Sequence, residues 1–297
     1  MNAAQASPAF VARHLFLCSL GWGSSFLFMK LMAGSVDPVV IAAVRAILAA
    51  GVLAIWVGLL GQMPLPRTQE LVPWLVLGTF SGWIPNLLVA VAVNHLDSGP
   101  AALIQASSPL MTAVGAHVLF SDERMGRRRL IGVALGLCGV ALLIGPRAFE
   151  GGGATFAVAC MLAVAACYAA TNLYTKTIRD VGAERLALGQ QAISALAGLL
   201  LALVFSGPQG FAAAAPHLWL LLALGLWSTA MPMAVFMRLI RAAGPTRSAM
   251  TGYTVPTVAA LLGIIVLGER LTTWQWIGGA VALAGVALVT TSTARPE

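Results

Sequence analysis

The residues best placed to do chemistry in this chain are polar ones in apolar surroundings. Arg45 lies well inside an apolar run, about seven residues in from Pro38. At about 1.5 Å per residue a helix puts it roughly 10 Å from one end of a span. A charge in lipid is costly unless it has a partner or a task. Either the guanidinium faces a cavity and holds a substrate carboxylate, or it snorkels or pairs with a loop acid such as Asp37 or Asp97. The ten acids, from Asp37 to Glu297, all fall in loops or at the ends of apolar runs. No carboxylate is therefore expected at mid-span to carry a proton, a sodium ion or a cationic drug. Backbone carbonyls at helix breaks are the alternative ligands for a cation.

Pro85, Pro109, Pro232 and Pro256 also sit within apolar runs. Each removes one helix hydrogen bond and crowds the preceding turn. The expectation is a bend or local unwinding that turns carbonyls toward a cavity and gives a gating point; a plain packing kink is the other reading. Polar and aromatic residues gather beside them: Trp83 and Asn86, Gln105, Ser107 and Ser108, Trp227, Ser228 and Thr229, Tyr253 and Thr254. Trp22, Trp83, Tyr168 and Trp227 lie deep in their runs, to stack a substrate ring or to fill gaps. Trp56, Trp74, Trp219, Trp274 and Trp276 lie near run ends, where interface anchors belong. Lys30 and Lys176 close their runs as solvated or interfacial lysines.

His14, His95, His117 and His217 lack metal-ligand spacing, and Cys18, Cys138, Cys160 and Cys167 read as small buried hydrophobes. No cofactor or metal is expected. With no Walker A sequence, an ATP-driven pump is excluded.

The elements that must position these residues follow from composition. Of 297 residues, 59% are hydrophobic and 9% charged, against roughly 45–50% and about 25% in soluble domains; mean hydropathy is +0.90. This is a polytopic membrane chain. Charges and Gly/Pro turns divide it into ten spans at 13–32, 39–60, 71–94, 100–120, 129–146, 153–176, 185–206, 216–239, 247–267 and 273–292. The run after Arg13 is too long for a signal peptide and lacks a cleavage site, so it reads as an uncleaved first span. With the N-terminus inside, 13 of the 17 basic residues fall on the cytoplasmic side and three, Lys30, Arg147 and Arg270, outside. The positive-inside rule then places both termini in the cytoplasm. The net charge of +7 suits an anionic leaflet rather than nucleic acid.

The chain also repeats itself. Trp22-Gly-Ser-Ser-Phe-Leu-Phe-Met-Lys30 aligns with Tyr168-Ala-Ala-Thr-Asn-Leu-Tyr-Thr-Lys176 at an offset of 146. The same offset pairs Glu123-Arg124 with Glu269-Arg270, Gly132 with Gly278, Gly139-Val-Ala-Leu142 with Gly285-Val-Ala-Leu288, and Arg45 with Gln191. Gly99-Pro100 answers Gly244-Pro245 with a one-residue slip. Five spans per unit is odd, so the second unit enters the membrane upside down, as in secondary transporters built on inverted repeats. Gly132 and Gly136, like Gly278 and Ala282, are small residues four apart that let helices approach.

This pattern resembles the drug/metabolite transporter superfamily, specifically its EamA-type branch. The resemblance rests on Trp22-Gly23-Ser24-Ser25-Phe26, on Gly268-Glu269-Arg270 before the last span, and on Gly278 with Gly285-Val286-Ala287. Asp122 stands where the second copy has Gly268. The likeness covers the chain as two copies of the family domain. It implies a carrier with alternating access, similar to bacterial exporters of aromatic amino acids; composition itself gives no substrate.

The expectation is thus an all-α membrane protein of ten transmembrane helices, arranged as two inverted five-helix repeats at 1–146 and 147–297. Its partners are a small-molecule substrate and the lipid bilayer of a bacterial inner membrane, with no nucleic acid and a single chain sufficing. It is read as a secondary transporter rather than an enzyme, exporting amino acids; the alternative is a multidrug or other metabolite exporter. A membrane-embedded transferase needs a clustered acid, base or metal set that is not visible. For an amino acid, Asn86, Gln105, Ser108, Asn172 and Gln191 would meet the ammonium. Arg45 or a helix N-terminus would meet the carboxylate. Trp22, Trp83, Tyr168, Trp227 and Tyr253 would meet the side chain, with broad specificity because one methylene is worth only about 1–3 kcal/mol.

Overall fold

The computed structural model describes residues 7–145, 152–179 and 181–291. Expectations for Arg147, Glu150, Asp180, Arg295 and Glu297, and for span ends at 146 and 292, fall outside these residues. Regular structure among the described residues is helical throughout.

Start signals set the first two helices. The Ser7 hydroxyl accepts from the Phe10 amide and Pro8 takes the first turn, so α1 runs Pro8–Met32, five residues ahead of the expected start. Asp37 likewise accepts from Val39 N–H ahead of Pro38, opening α2, Pro38–Leu59. The third stretch begins with a tight turn, Thr68–Glu70, and continues as α3, Leu71–Gly78. It then widens into a π-helical segment, Thr79–Trp83, before α4, Ile84–Ala92. The fourth stretch is α5, Ser98–Gln105, and α6, Ser108–Leu119. Next come α7, Arg127–Ile144, α8, Gly152–Thr177, and α9, Ala183–Phe205. The expected loop at 208–214 is instead a short helix, α10, Gly207–Ala214. Beyond it, α11, Leu218–Leu222, passes through a second π segment, Ala223–Ala230, into α12, Met231–Ser248. The chain closes with α13, Thr251–Leu267, and α14, Thr273–Thr291.

Among the described residues, eight helical stretches are long and apolar enough to cross a bilayer. Two of the ten expected spans fall short for visible reasons. α7 opens on Arg127, Arg128 and Arg129, and α13 has 17 residues because the chain turns at Ala249 and Met250.

Packing between helices obeys a pattern of exchange. α1 packs on α13 and on the second π segment with α12; α8 packs on α5 and α6 and on α4 with the first π segment. α9 packs on α3 and the first π segment, as α2 packs on the second. The remaining large contacts, α2 with α9, α7 with α14 and α5 with α13, join equivalent spans. The α7–α14 crossing is close because it is made of glycine. A Cβ at Gly139, Gly278 or Gly285 would collide with backbone atoms of the facing helix, the close approach expected for small residues four apart. The Trp22-Gly23 motif acts similarly: a Cβ on Gly23 would lie 3.0–3.1 Å from Val258, Ala259 and Val255 of α13.

Candidate functional site

The two π segments are the central irregularity, and each lies just before a proline. Pro85 cannot donate to the carbonyl of Ser81, four residues back. That carbonyl accepts instead from Gln190 Nε2 of α9 at 2.7 Å. Within the wider turn Gly82 takes non-helical angles (φ −112°, ψ −106°), and it fits closely against Ser194, whose Cβ is 3.0 Å from where a Gly82 Cβ would sit. In the second segment Thr229 Oγ1 donates back to the Leu224 carbonyl, five residues earlier, at 2.7 Å. This widened turn also presents Ser228 and Thr229 to α1 and α2.

Arg45 reaches that segment. Its Nε donates to Thr229 Oγ1 at 2.8 Å, and a terminal nitrogen lies 3.8 Å from Met29 Sδ. The residue is 9% exposed. Neither loop acid takes it: Asp37 accepts from Ser206 Oγ and Asp97 lies 3.5 Å from Lys30. The guanidinium is thus turned into the protein, beside Tyr168, and no carboxylate among the described residues pairs with it. Hydroxyl contacts also join α1 to the second half of the chain, Ser24 Oγ with Ser228 Oγ at 2.9 Å and, further toward the start of α1, Ser19 Oγ to Thr254 Oγ1 at 2.6 Å.

Gln191, the repeat counterpart of Arg45, is buried. Its Nε2 meets Met233 Sδ at 3.5 Å, while Gln191 Oε1 and Ser194 Oγ have no hydrogen-bond partner among the described residues. Two acceptors are therefore left unsatisfied three residues apart on α9, an arrangement that favours an incoming donor.

The other expected residues divide. Asn86 and Ser108 are buried and Gln105 half-buried, at the breaks where they were expected. Trp22 is half-buried, its ring 5.3 Å from that of Phe236, and Trp83 is half-buried at the end of the first π segment. Tyr253 packs with Leu110, Val133, Val286 and Val289 rather than beside Arg45. Asn172 and Trp227 are exposed and stand apart from the buried polar cluster. Pro85, Pro109 and Pro232 each start a new helical segment after an irregular one. Pro256 does not: it lies within α13, and the break falls at Ala249–Met250.

The structure adds a pair that the sequence did not reveal and corrects the expectations for Trp74 and Cys138. Glu70 and Arg185, which the sequence places only at span ends, form a buried pair, 1% and 4% exposed. Arg185 donates to both Glu70 oxygens and to the carbonyls of Met63 at 2.9 Å and Leu65 at 2.8 Å, fixing the connection before α3 to the start of α9. Trp74 is not an interface anchor. It is 3% exposed, packed on Gly189 with the Arg185 guanidinium 5.9 Å from its ring. Trp219, Trp274 and Trp276 are exposed, as anchors should be. Cys18 and Cys160 are buried, whereas Cys138 is exposed on α7. Sequence reading named Thr229 only as a neighbour of Pro232 and did not single out Gln190 or Ser194. Their one signal is polarity within an apolar run.

A helical membrane protein with a buried cationic and hydroxyl-lined centre, broken helices around it and two similar halves belongs to the class of multi-pass transporters. Comparison with known proteins specifies this further. The model of the EamA-like transporter family matches residues 12–145 and again 155–291. The chain belongs to the EamA-like transporter family. It is 28% identical over 294 residues to the uncharacterized inner membrane transporter YedA of Escherichia coli K12, covering 98% of this chain and 93% of that one. It is 26% identical to a probable terminal-alkyne amino-acid exporter of Streptantibioticus cattleyicolor, covering 93% and 91%. A solved crystal structure with 16% identity superposes with a TM-score of 0.65 over 96% of this chain and 97% of that one, a likeness of fold.

Proposed function

We propose that this chain is a secondary carrier of a bacterial inner membrane that exports small amphipathic metabolites, amino acids before others. The observation that carries the reading is Arg45, a guanidinium turned into the protein with a threonine, a thioether and, among the described residues, no carboxylate around it. An unpaired buried charge costs several kcal/mol, a cost that a substrate carboxylate offsets by forming a charge-assisted, bidentate contact. Gln191 Oε1 and Ser194 Oγ, both unsatisfied, are acceptors suited to the ammonium of the same molecule. The half-buried rings of Trp22, Trp83 and Tyr168 give its side chain apolar faces.

Alternating access follows from the proposed architecture: ten spans in two inverted five-helix repeats, 1–146 and 147–297, with both termini cytoplasmic. The exchange pattern of helix contacts supports the repeat, and the split of basic residues supports the orientation. Breaks at Pro85, Pro109, Pro232 and Ala249–Met250 supply the bending points. The relative named as an amino-acid exporter points to the same substrate class.

Uptake into inside-out vesicles or proteoliposomes, run against amino acids, cationic dyes and nucleotide-sugars, tests the reading. Saturable transport of one or more apolar amino acids is expected. Transport of dyes alone would move the chain to the multidrug reading, and flux rising linearly to high substrate would make it a pore.

A further inference from the structure

The two ends of the proposed transport path differ in this structure. At one end α5 is sealed: Ser98 to Ile104 are all buried, and the helix packs against α1, α7, α8, α13 and α14. At the other end α6 is much less covered by the protein. Of its residues only Ser108 and Leu110 are buried, and Val118 and Leu119 are 76% and 65% exposed. Exchange of the repeats would turn the α5–α13 packing into packing of α6 against residues 243–250. α6 instead packs on α7, α8 and α14 and touches α13 at Pro109 and Gly252. α5 is thus tightly packed across the two repeats and α6 is not.

What closes the α5 end is a small set of charge-assisted contacts. α13 ends at Gly268 in the left-handed conformation (φ 69°), and the next amide, Glu269, bonds back to the Gly263 carbonyl at 3.1 Å. This tight turn delivers Glu269 across to α5. Its Oε1 accepts from Ser98 N–H at 2.8 Å and Ser98 Oγ at 2.7 Å, and its Oε2 from Gly99 N–H at 3.1 Å. On the opposite flank Lys30, at the end of α1, donates to the carbonyls of Val93 and Leu96, both at 3.0 Å, and lies 3.5 Å from Asp97. The turn leading into α5 is thus fastened to α1 and α13, which belong to opposite repeats.

Glu123, the repeat counterpart of Glu269, makes no such contact among the described residues. It meets Lys176 at 3.1 Å and Arg129 at 3.5 Å. The helix ends before the two glutamates differ as well: α6 ends at Phe120 in an extended conformation (φ −122°, ψ 119°), and α13 ends at the left-handed Gly268. Identical residue types at equivalent positions are therefore engaged differently, and the difference coincides with which end is shut.

We infer that Glu269 is a gate residue of the transport cycle: by accepting from Ser98 and Gly99 it holds the α5–α13 end of the path shut, and it must release them for that end to open. The inference rests on the alternating-access reading and adds the contact that sets which side the cavity faces. Loss of even one charge-assisted hydrogen bond shifts a two-state population by roughly tenfold.

Hydrogen–deuterium exchange of the full chain in nanodiscs, for wild type, Glu269→Ala, Ser98→Ala and Glu123→Ala, tests it without a known substrate. Glu269→Ala should raise exchange at 98–104 by roughly tenfold and lower it at 108–119, because opening one end closes the other. Ser98→Ala removes one of the three bonds and should give the same paired change, smaller; it also serves if Glu269→Ala fails to fold. Glu123→Ala should leave 98–104 unchanged. A rise confined to 98–104 with no fall at 108–119 would reduce Glu269 to a local helix cap and overturn the inference, as would an identical response to Glu123→Ala. A chain that transports nothing would defeat the carrier reading instead, since the exchange result does not depend on transport.

Discussion

Arg45 and Arg185 are both buried arginines, and the contrast between them separates a structural role from the proposed functional one. Arg185 makes four hydrogen bonds, to Glu70 and to the Met63 and Leu65 carbonyls; among the described residues Arg45 has Thr229 alone as an oxygen partner. Glu70→Ala should therefore destabilise the protein by about 3–5 kcal/mol, because it strands the Arg185 charge in the interior. The double change Glu70→Ala with Arg185→Met should recover much of this. Thermal melting in detergent reads both, and equal melting of wild type and Glu70→Ala would contradict the burial of the pair. At this scale the sequence was informative about Arg45, because one charge in an apolar run stands out. It was misleading about Trp74 and silent about the Glu70–Arg185 pair, because nothing near a span end shows burial until the connection before α3 folds back onto α9.

At the scale of elements, the prolines announced breaks but not their form. Whether Pro85 gives a bend or a π segment depends on who satisfies the carbonyl it orphans. The answer, Gln190, lies over a hundred residues away. Pro256 shows the converse, a proline accommodated within a helix whose break lies at Ala249–Met250. Glycine spacing was more legible, since a Cβ is either tolerated at a crossing or it is not. Gly285→Leu places a side chain where Gly136 backbone and the Gly132 carbonyl already are, and should cost at least about 1–3 kcal/mol through separation of α7 and α14. Gly51→Leu, with nothing within 4 Å of its Cβ, should leave the melting temperature unchanged. If the two variants melted alike, the α7–α14 crossing would be wrong.

For the whole molecule, the helical multi-span character and the two copies of the family domain could be read directly, because lipid forces long uncharged helices and the two copies keep matching residues at a constant offset. The spatial pairing of helices and the unequal closure of the two ends could not, since both arise from contacts between repeats. Orientation is open to a simple check. Gln209, exposed on α10, and Gln69, exposed before α3, fall on opposite faces in the proposed topology. An impermeant thiol reagent should label Gln209→Cys in intact cells and Gln69→Cys only after permeabilisation; the reverse pattern would invert the chain in the membrane.

The central claim is that Arg45 binds a substrate carboxylate in a cavity that alternates between the two sides. Counterflow in proteoliposomes, comparing wild type with Arg45→Gln and Arg45→Lys, addresses it most directly. Wild type should accumulate labelled amino acid against an unlabelled internal pool. Arg45→Gln should lose at least about tenfold of that exchange with normal folding, and Arg45→Lys should recover little, since a single ammonium does not reproduce the planar bidentate contact. Undiminished counterflow of a carboxylate substrate in Arg45→Gln would contradict the account.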